Sequence, residues 1–122
     1  MIEIRNDKET GMSIFFWKKN IEIDAFANSL ASELYSNLGP EQVSAYFKAT
    51  KKEIKKDKLF KQVEMILFNS LKEMQQFRVT HALGTYGKAR LLLKFNERLE
   101  ELGYDSKAIN GIKDLVLLKM PR

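Results

Sequence analysis

The sequence is 122 residues long, with 44% hydrophobic and 30% charged side chains and no cysteine. A chain of this size and composition can close one hydrophobic core, which leaves little room for a second domain. The lack of cysteine excludes a disulfide framework and a thiolate zinc site, and it favours the reducing environment of the cytoplasm. The early apolar run from Ile14 to Trp17 is too short for a signal peptide or a membrane span.

The net charge of +5 comes from 21 basic and 16 acidic residues, and its excess is concentrated in one segment. Residues 48–61 contain seven lysines against Glu53 and Asp57, a net charge of +5, so the rest of the chain is neutral as a whole. The basic character of the chain is therefore a local feature.

The first 23 residues are predicted to form an extended or partly disordered segment ahead of a helical domain at residues 24–122. Two short β-prone runs, Ile2–Arg5 and Ser13–Lys19, flank a turn-forming stretch. A β-hairpin packed on the helices and a disordered leader both fit this pattern, since an isolated hairpin is marginal in water. A third alternative is that the natural chain starts at Met12.

From Asp24 onward, amphipathic helices are separated by glycine, proline or capping residues. The first predicted helix runs from Asp24 to Leu38, and its apolar residues recur at the three-and-four spacing of one buried stripe. Gly39 ends it. The second runs from Pro40, a residue that suits the first turn of a helix, to Lys56.

Asp57 is expected to cap a third helix that runs to about Leu83 and that is central in the core, because its apolar residues cover a wide face. Gly84 is expected to close this helix in the left-handed conformation. Thr85 is expected to cap a fourth helix, which ends before Gly103.

A fifth helix, capped by Asp105 or Ser106, is expected to end before Pro121. The predicted fold is therefore an all-α, compact, single-domain bundle of about five helices. A short extended or β-hairpin-like N-terminal segment precedes it.

The second predicted helix has an apolar side and a lysine side. At 100° per residue, its apolar residues fall on one arc and five lysines fall on the opposite arc. These lysines are Lys48, Lys51, Lys52, Lys55 and Lys56. They are predicted to bind an anion or nucleic acid, and the alternative is a solvated face that serves solubility only.

The turn from Gly84 to Lys88 gathers groups that favour anions, because glycines at a helix N-terminus expose backbone amides. The candidate anion site consists of Arg78, His81, Thr85, Gly87, Lys88 and Arg90. Its spacing does not match a Walker loop, which needs four residues between the glycines. Ordinary helix punctuation also explains the pattern.

The aromatic run Phe15, Phe16 and Trp17 precedes two lysines, a composition typical of contacts with a partner or an anionic membrane surface. These three residues are therefore a candidate interface. Packing of the aromatic rings against the edge of the core is the alternative.

His81 is the only histidine, which excludes a two-histidine metal site and makes any Ser/His/Asp arrangement depend on one residue. No nucleophile elbow accompanies it. The sequence therefore predicts no catalytic residue, no metal and no cofactor, and an enzyme is the last of the functional classes considered.

Three short blocks of the sequence carry a resemblance to known proteins. They are Phe16–Lys19 (FWKK), Ile23–Ala27 (IDAFA) and Tyr86–Leu91 (YGKARL). They resemble blocks of a small, uncharacterised family of bacterial proteins. The resemblance covers most of the chain after Met12, and it implies that residues 1–11 are an extension. It implies no activity or ligand.

The first functional hypothesis is a non-enzymatic helical interaction module that docks a protein partner or associates with itself. The second is nucleic-acid binding through the lysine face of the second helix. Lysine in place of arginine argues against base reading, however, and residues 48–61 contain no tyrosine or tryptophan for stacking. The third is peripheral membrane association through Phe15–Trp17 and the lysines.

Overall fold

The computed structural model describes the backbone of residues 7–119 and the side chains of residues 18–118. Within the described backbone the chain forms six helices and no strand, which confirms the all-α prediction. They are α1 (Asp7–Asn37), α2 (Pro40–Lys48), α3 (Lys51–Lys56), α4 (Lys58–Thr80), α5 (Thr85–Glu101) and α6 (Ser106–Lys119).

The N-terminal half of α1 replaces part of the expected hairpin. The run Ser13–Lys19 is helical, and Asp24 lies inside α1 and not at its start. Burial of Ile23 explains why the helix continues upstream of Asp24. Ile23 is only 1% exposed and extends the buried stripe that Ala27 and later residues of α1 form. The other predicted strand, Ile2–Arg5, lies outside the described residues.

The predicted helix from Pro40 to Lys56 is two helices, since the backbone at Ala49 is extended (φ −76°, ψ 152°). Thr50 then starts α3 with a capping box. Its hydroxyl accepts a hydrogen bond from the Glu53 amide at 3.2 Å, and the Glu53 carboxylate accepts one from the Thr50 amide at 2.8 Å. These two bonds satisfy donors that a helix start leaves free, so α3 takes a new direction at little cost.

The core forms around α1, α4 and α5. Arg90 pairs with Asp24, and Tyr104 donates a hydrogen bond to the Leu38 carbonyl at 2.6 Å. In each pair the two residues are 66 positions apart in the sequence. Because this spacing is the same near both ends of the contact, α1 and α5 run parallel. The largest fully buried side chains are Phe95, Ile23, Leu34, Met74, Leu91, Leu99, Ile112, Val43 and Val116. Every described helix except the short α3 contributes to this set.

Helix α6 is fixed to α2 at its N-terminus. Asp105 caps α6 by accepting a hydrogen bond from the Ala108 amide at 2.9 Å, and its second carboxylate oxygen accepts one from the Ser44 hydroxyl at 3.0 Å. These bonds, with the nearby charge of Lys48, lower the pKa of Asp105. The cap therefore also ties the two helices together.

Helices α4 and α5 both end in Schellman motifs. After α5, Gly103 takes the left-handed position with φ 100°. After α4 the same position belongs to Ala82, with φ 48°, and not to Gly84 as predicted. Leu83 donates to the Arg78 carbonyl and Ala82 to the Val79 carbonyl, which completes the motif without a glycine. Gly84 instead has extended backbone and is the N-cap of α5.

Replacing Ala82 by glycine is expected to stabilise the protein by about 0.5–1 kcal/mol. Relief of the left-handed strain of alanine exceeds the entropy that glycine gains in the unfolded chain. Chemical denaturation measures the change. The control is Ala89→Gly, at an exposed position inside α5. It should destabilise by a similar amount, about 0.5–1 kcal/mol. A loss of stability in Ala82→Gly would contradict the strained geometry.

Candidate functional site

The five lysines of the predicted lysine face are all exposed, but the break between α2 and α3 separates them. Lys48, at the end of α2, lines an open pocket of about 350 Å³ with Ser44 and Asp105. Lys51 and Lys55 line a different pocket. Lys52 and Lys56 lie on the side of α3 opposite Ile54, as their helical spacing requires. The lysines therefore do not form the single arc that a continuous helix would give.

The second of these pockets, here called the lysine pocket, lies where α2, α3 and α4 meet. It is an open pocket of about 380 Å³. It is lined by Tyr46, Lys51, Ile54, Lys55, Lys61 and Glu64. Lys61 was not among the predicted site residues, because it belongs to α4 and only the fold brings it beside α3.

Tyr46 forms part of the apolar floor of the lysine pocket. Its ring makes edge contacts with Phe47 and Phe60, at centroid distances of 5.1 and 6.3 Å, and the residue is 6% exposed. Its hydroxyl donates a hydrogen bond of 2.7 Å to the Glu64 carboxylate. Burial and the charge of Glu64 raise the pKa of Tyr46, so the phenol stays protonated.

Positive charge surrounds this floor. Lys51 and Lys55 are one turn apart on α3, and Lys61 approaches from α4. Among the residues that the structure describes, no ion pair involves these three lysines. The only acid that lines the pocket in the described part of the chain is Glu64, and its carboxylate is already bonded to Tyr46. The lysine pocket therefore combines an apolar floor with a cationic rim.

The Gly84 turn lies beside a larger open pocket of about 600 Å³. Of the predicted anion site, Arg78, Thr85 and Lys88 line this pocket together with Gly84. Arg78 also donates a hydrogen bond to Gln75 at 3.1 Å.

The other three residues of the predicted anion site do not line this pocket and have contacts elsewhere. His81 stacks on Phe77 at a centroid distance of 4.1 Å, and its Nδ1 is 3.2 Å from the carbonyl of that residue. Gly87 is buried, and a Cβ added there would lie 3.2 Å from the Leu83 side chain. Arg90 binds both carboxylate oxygens of Asp24, at 2.9 and 2.8 Å. The structure therefore brings three of the six residues to one pocket and places the other three elsewhere.

The candidate interface formed by Phe15, Phe16 and Trp17 belongs to α1 by its backbone, while its side chains lie outside the described residues. A further open pocket of about 340 Å³ lies along α4 and is lined by Phe68, Leu71 and Gln75 among others. This pocket and the lysine pocket both have lining residues on α4.

In the part of the chain that the structure describes, no three acidic, histidine or cysteine residues are grouped to hold a metal ion. None of the helices between residues 7 and 119 is long and apolar enough to cross a bilayer. Comparison of the chain with protein-family models, with curated proteins and with solved structures found no match.

Proposed function

We propose that this chain is a non-enzymatic helical interaction module that docks a protein partner, or a second copy of itself, through the lysine pocket. The observation that carries the proposal is the combination of a Tyr46 and Ile54 floor with a rim of Lys51, Lys55 and Lys61. An apolar centre inside a polar rim is the usual anatomy of a protein interface. Because the chain has no cysteine, the proposal includes a cytoplasmic location.

Nucleic-acid binding is the second candidate, and the exposure of the lysines favours it. Five phosphate contacts would make such binding steeply dependent on salt, with a log-log slope of about 4 to 5. The acid in the pocket argues against it, because the Glu64 carboxylate lies beside Tyr46, where a phosphate of the nucleic-acid backbone would meet a like charge. A protein partner uses the buried floor and the lysine rim together.

Charge reversal in the pocket tests the proposal. Lys51→Glu with Lys55→Glu should abolish retention of a specific protein from nuclease-treated extract by the immobilised full chain. The matched control is Lys107→Glu with Lys113→Glu, which changes the net charge equally at two exposed positions on α6. This control should retain the partner. Sedimentation of the parent and both variants tests self-association in the same way.

Three outcomes would contradict the proposal. Loss of the bound protein on nuclease treatment, with direct binding of duplex DNA or single-stranded RNA, would favour the nucleic-acid candidate. Binding to anionic vesicles that needs Phe16 and Trp17 would favour a membrane contact. Equal retention by both charge-reversed variants would mean that the partner docks elsewhere.

A further inference from the structure

We infer that the occupant of the lysine pocket is an acidic segment of a protein partner that inserts one large apolar side chain onto Tyr46 and Ile54. The inference rests on the proposed function and specifies the chemistry of its partner. The argument for this occupant is that its charge and its polarity would both complement those of the pocket.

The floor of the pocket selects an apolar group. The ring of Tyr46 and the side chain of Ile54 are apolar, and the one polar atom of the ring is already engaged as a donor to Glu64. A polar group placed here would lose water without gaining the Tyr46 hydrogen, which makes its burial unfavourable. The volume of about 380 Å³ is near the lower end of ligand pockets, and it suits a single large side chain.

The rim of the pocket selects negative charge outside the floor. Lys51, Lys55 and Lys61 are exposed, and within the described part of the chain they have no ion-pair partner. Carboxylates that flank the inserted side chain would reach these ammonium groups and would also steer the encounter. A neutral or basic segment would leave the rim uncompensated.

Glu64 favours an acidic peptide over a phosphate ligand. Its carboxylate lies at the pocket beside Tyr46, where a phosphate drawn in by the lysines would meet a like charge. An acidic peptide avoids that repulsion, because its neutral side chain faces Glu64 while its carboxylates stay at the rim. The same arrangement disfavours a nucleic-acid backbone, which carries charge at every step.

Peptide arrays test the inference directly on the full-length protein. The probes are short synthetic glutamate-rich peptides in which a single phenylalanine, leucine or alanine occupies each position in turn, with lysine-rich peptides of the same design as controls. The phenylalanine and leucine peptides should bind at least about tenfold more tightly than the alanine peptides, because burying a large side chain contributes that much. The lysine-rich peptides should not bind.

The variants localise the binding. Lys51→Glu with Lys55→Glu should weaken the best acidic peptide by at least about tenfold at low salt, since like charges across an interface are costly. Lys107→Glu with Lys113→Glu should bind it as the parent does. Circular dichroism checks that both variants keep the helical fold. Ile54→Ala should weaken the phenylalanine peptide more than the alanine peptide.

Two outcomes would overturn the inference. Acidic peptides that bind equally with and without an apolar residue would show attraction to the rim alone. No measurable binding of any acidic peptide at low salt would show that the occupant has another chemistry. In either case the proposed function still stands if the pocket variant loses its protein partner and the α6 control keeps it, so the two failures are distinguishable.

Discussion

Phe95→Ala is expected to destabilise the protein by about 3–5 kcal/mol, the largest effect of any single substitution considered. Phe95 lies at the middle of α5, is 1% exposed and is the bulkiest of the fully buried side chains. Its removal loses the transfer free energy of the ring and leaves a cavity that the surrounding helices fill only in part. Urea denaturation, followed by circular dichroism, measures the free energy of unfolding.

Leu93→Ala is the matched control for this substitution. Leu93 is on the same helix but is 55% exposed, so its loss should cost about 0.5 kcal/mol, as at other surface positions. Similar costs for the two variants would mean that α5 does not present Phe95 to the core.

The regular elements of the fold could largely be predicted from local periodicity. The first predicted stripe consists of Phe26, Ala27, Leu30, Ala31, Leu34 and Leu38. All are buried in the structure except Phe26, which is partly buried and packs against the core. The prediction succeeds because residues three and four positions apart lie on the same face of a helix, so the buried face can be read from the sequence. Cap residues are equally local, and Asp57 does accept a hydrogen bond from the Leu59 amide at the start of α4.

The third predicted helix shows that periodicity indicates position better than depth of burial. Helix α4 packs against α1, α2, α3 and α6, in agreement with its predicted central position, yet it supplies only Met74 to the nine largest fully buried side chains, whereas α5 supplies Phe95, Leu91 and Leu99. Leu59 and Met65 widen the apolar face of α4 but are 66% and 63% exposed. The width of the apolar face of a helix depends on its own composition. How deeply each residue on that face is buried depends on which other helices surround it.

The sequence does contain a pattern that predicts the break between α2 and α3, although the helical periodicity favoured one continuous helix. The residues from Thr50 to Glu53 have the spacing of a capping box, and the structure contains both of its hydrogen bonds. Thr50 and Ile54 also fit the apolar arc of a longer helix, which favoured continuity over a new start. In such a conflict a complete capping box is the more specific of the two patterns.

The lysine pocket could be predicted only in part, because its residues come from three helices. Lys51 and Lys55 follow from the charge pattern of the sequence. Lys61 and Glu64 belong to the next helix, and nothing local indicates that they face Tyr46. The predicted anion site shows the opposite limit of local reasoning, since Arg90 is close in sequence to Lys88 but is paired with Asp24, 66 residues away.

Gly111→Ala is expected to destabilise the protein by about 1–2 kcal/mol, although alanine is the better helix former by about 1 kcal/mol. A Cβ added at Gly111 would overlap the ring of Phe47, and so α2 approaches α6 closely at this point. Overpacking costs about 1–3 kcal/mol, and an overlap with a rigid aromatic ring belongs to the upper part of that range, so about 1–2 kcal/mol remains after the gain in helix propensity. Thermal and urea denaturation of the variant measure the net effect.

Two further variants separate packing from propensity at this position. Asn110→Ala, at the exposed neighbouring position of α6, should be neutral or stabilise by about 0.5 kcal/mol, because only propensity acts there. Phe47→Leu removes the ring, so Gly111→Ala in that background should become neutral or stabilising. The coupling measured by this double-mutant cycle should be at least about 1 kcal/mol. Additive effects of the two changes would instead mean that Gly111 and Phe47 are not in contact and that α2 and α6 pack differently.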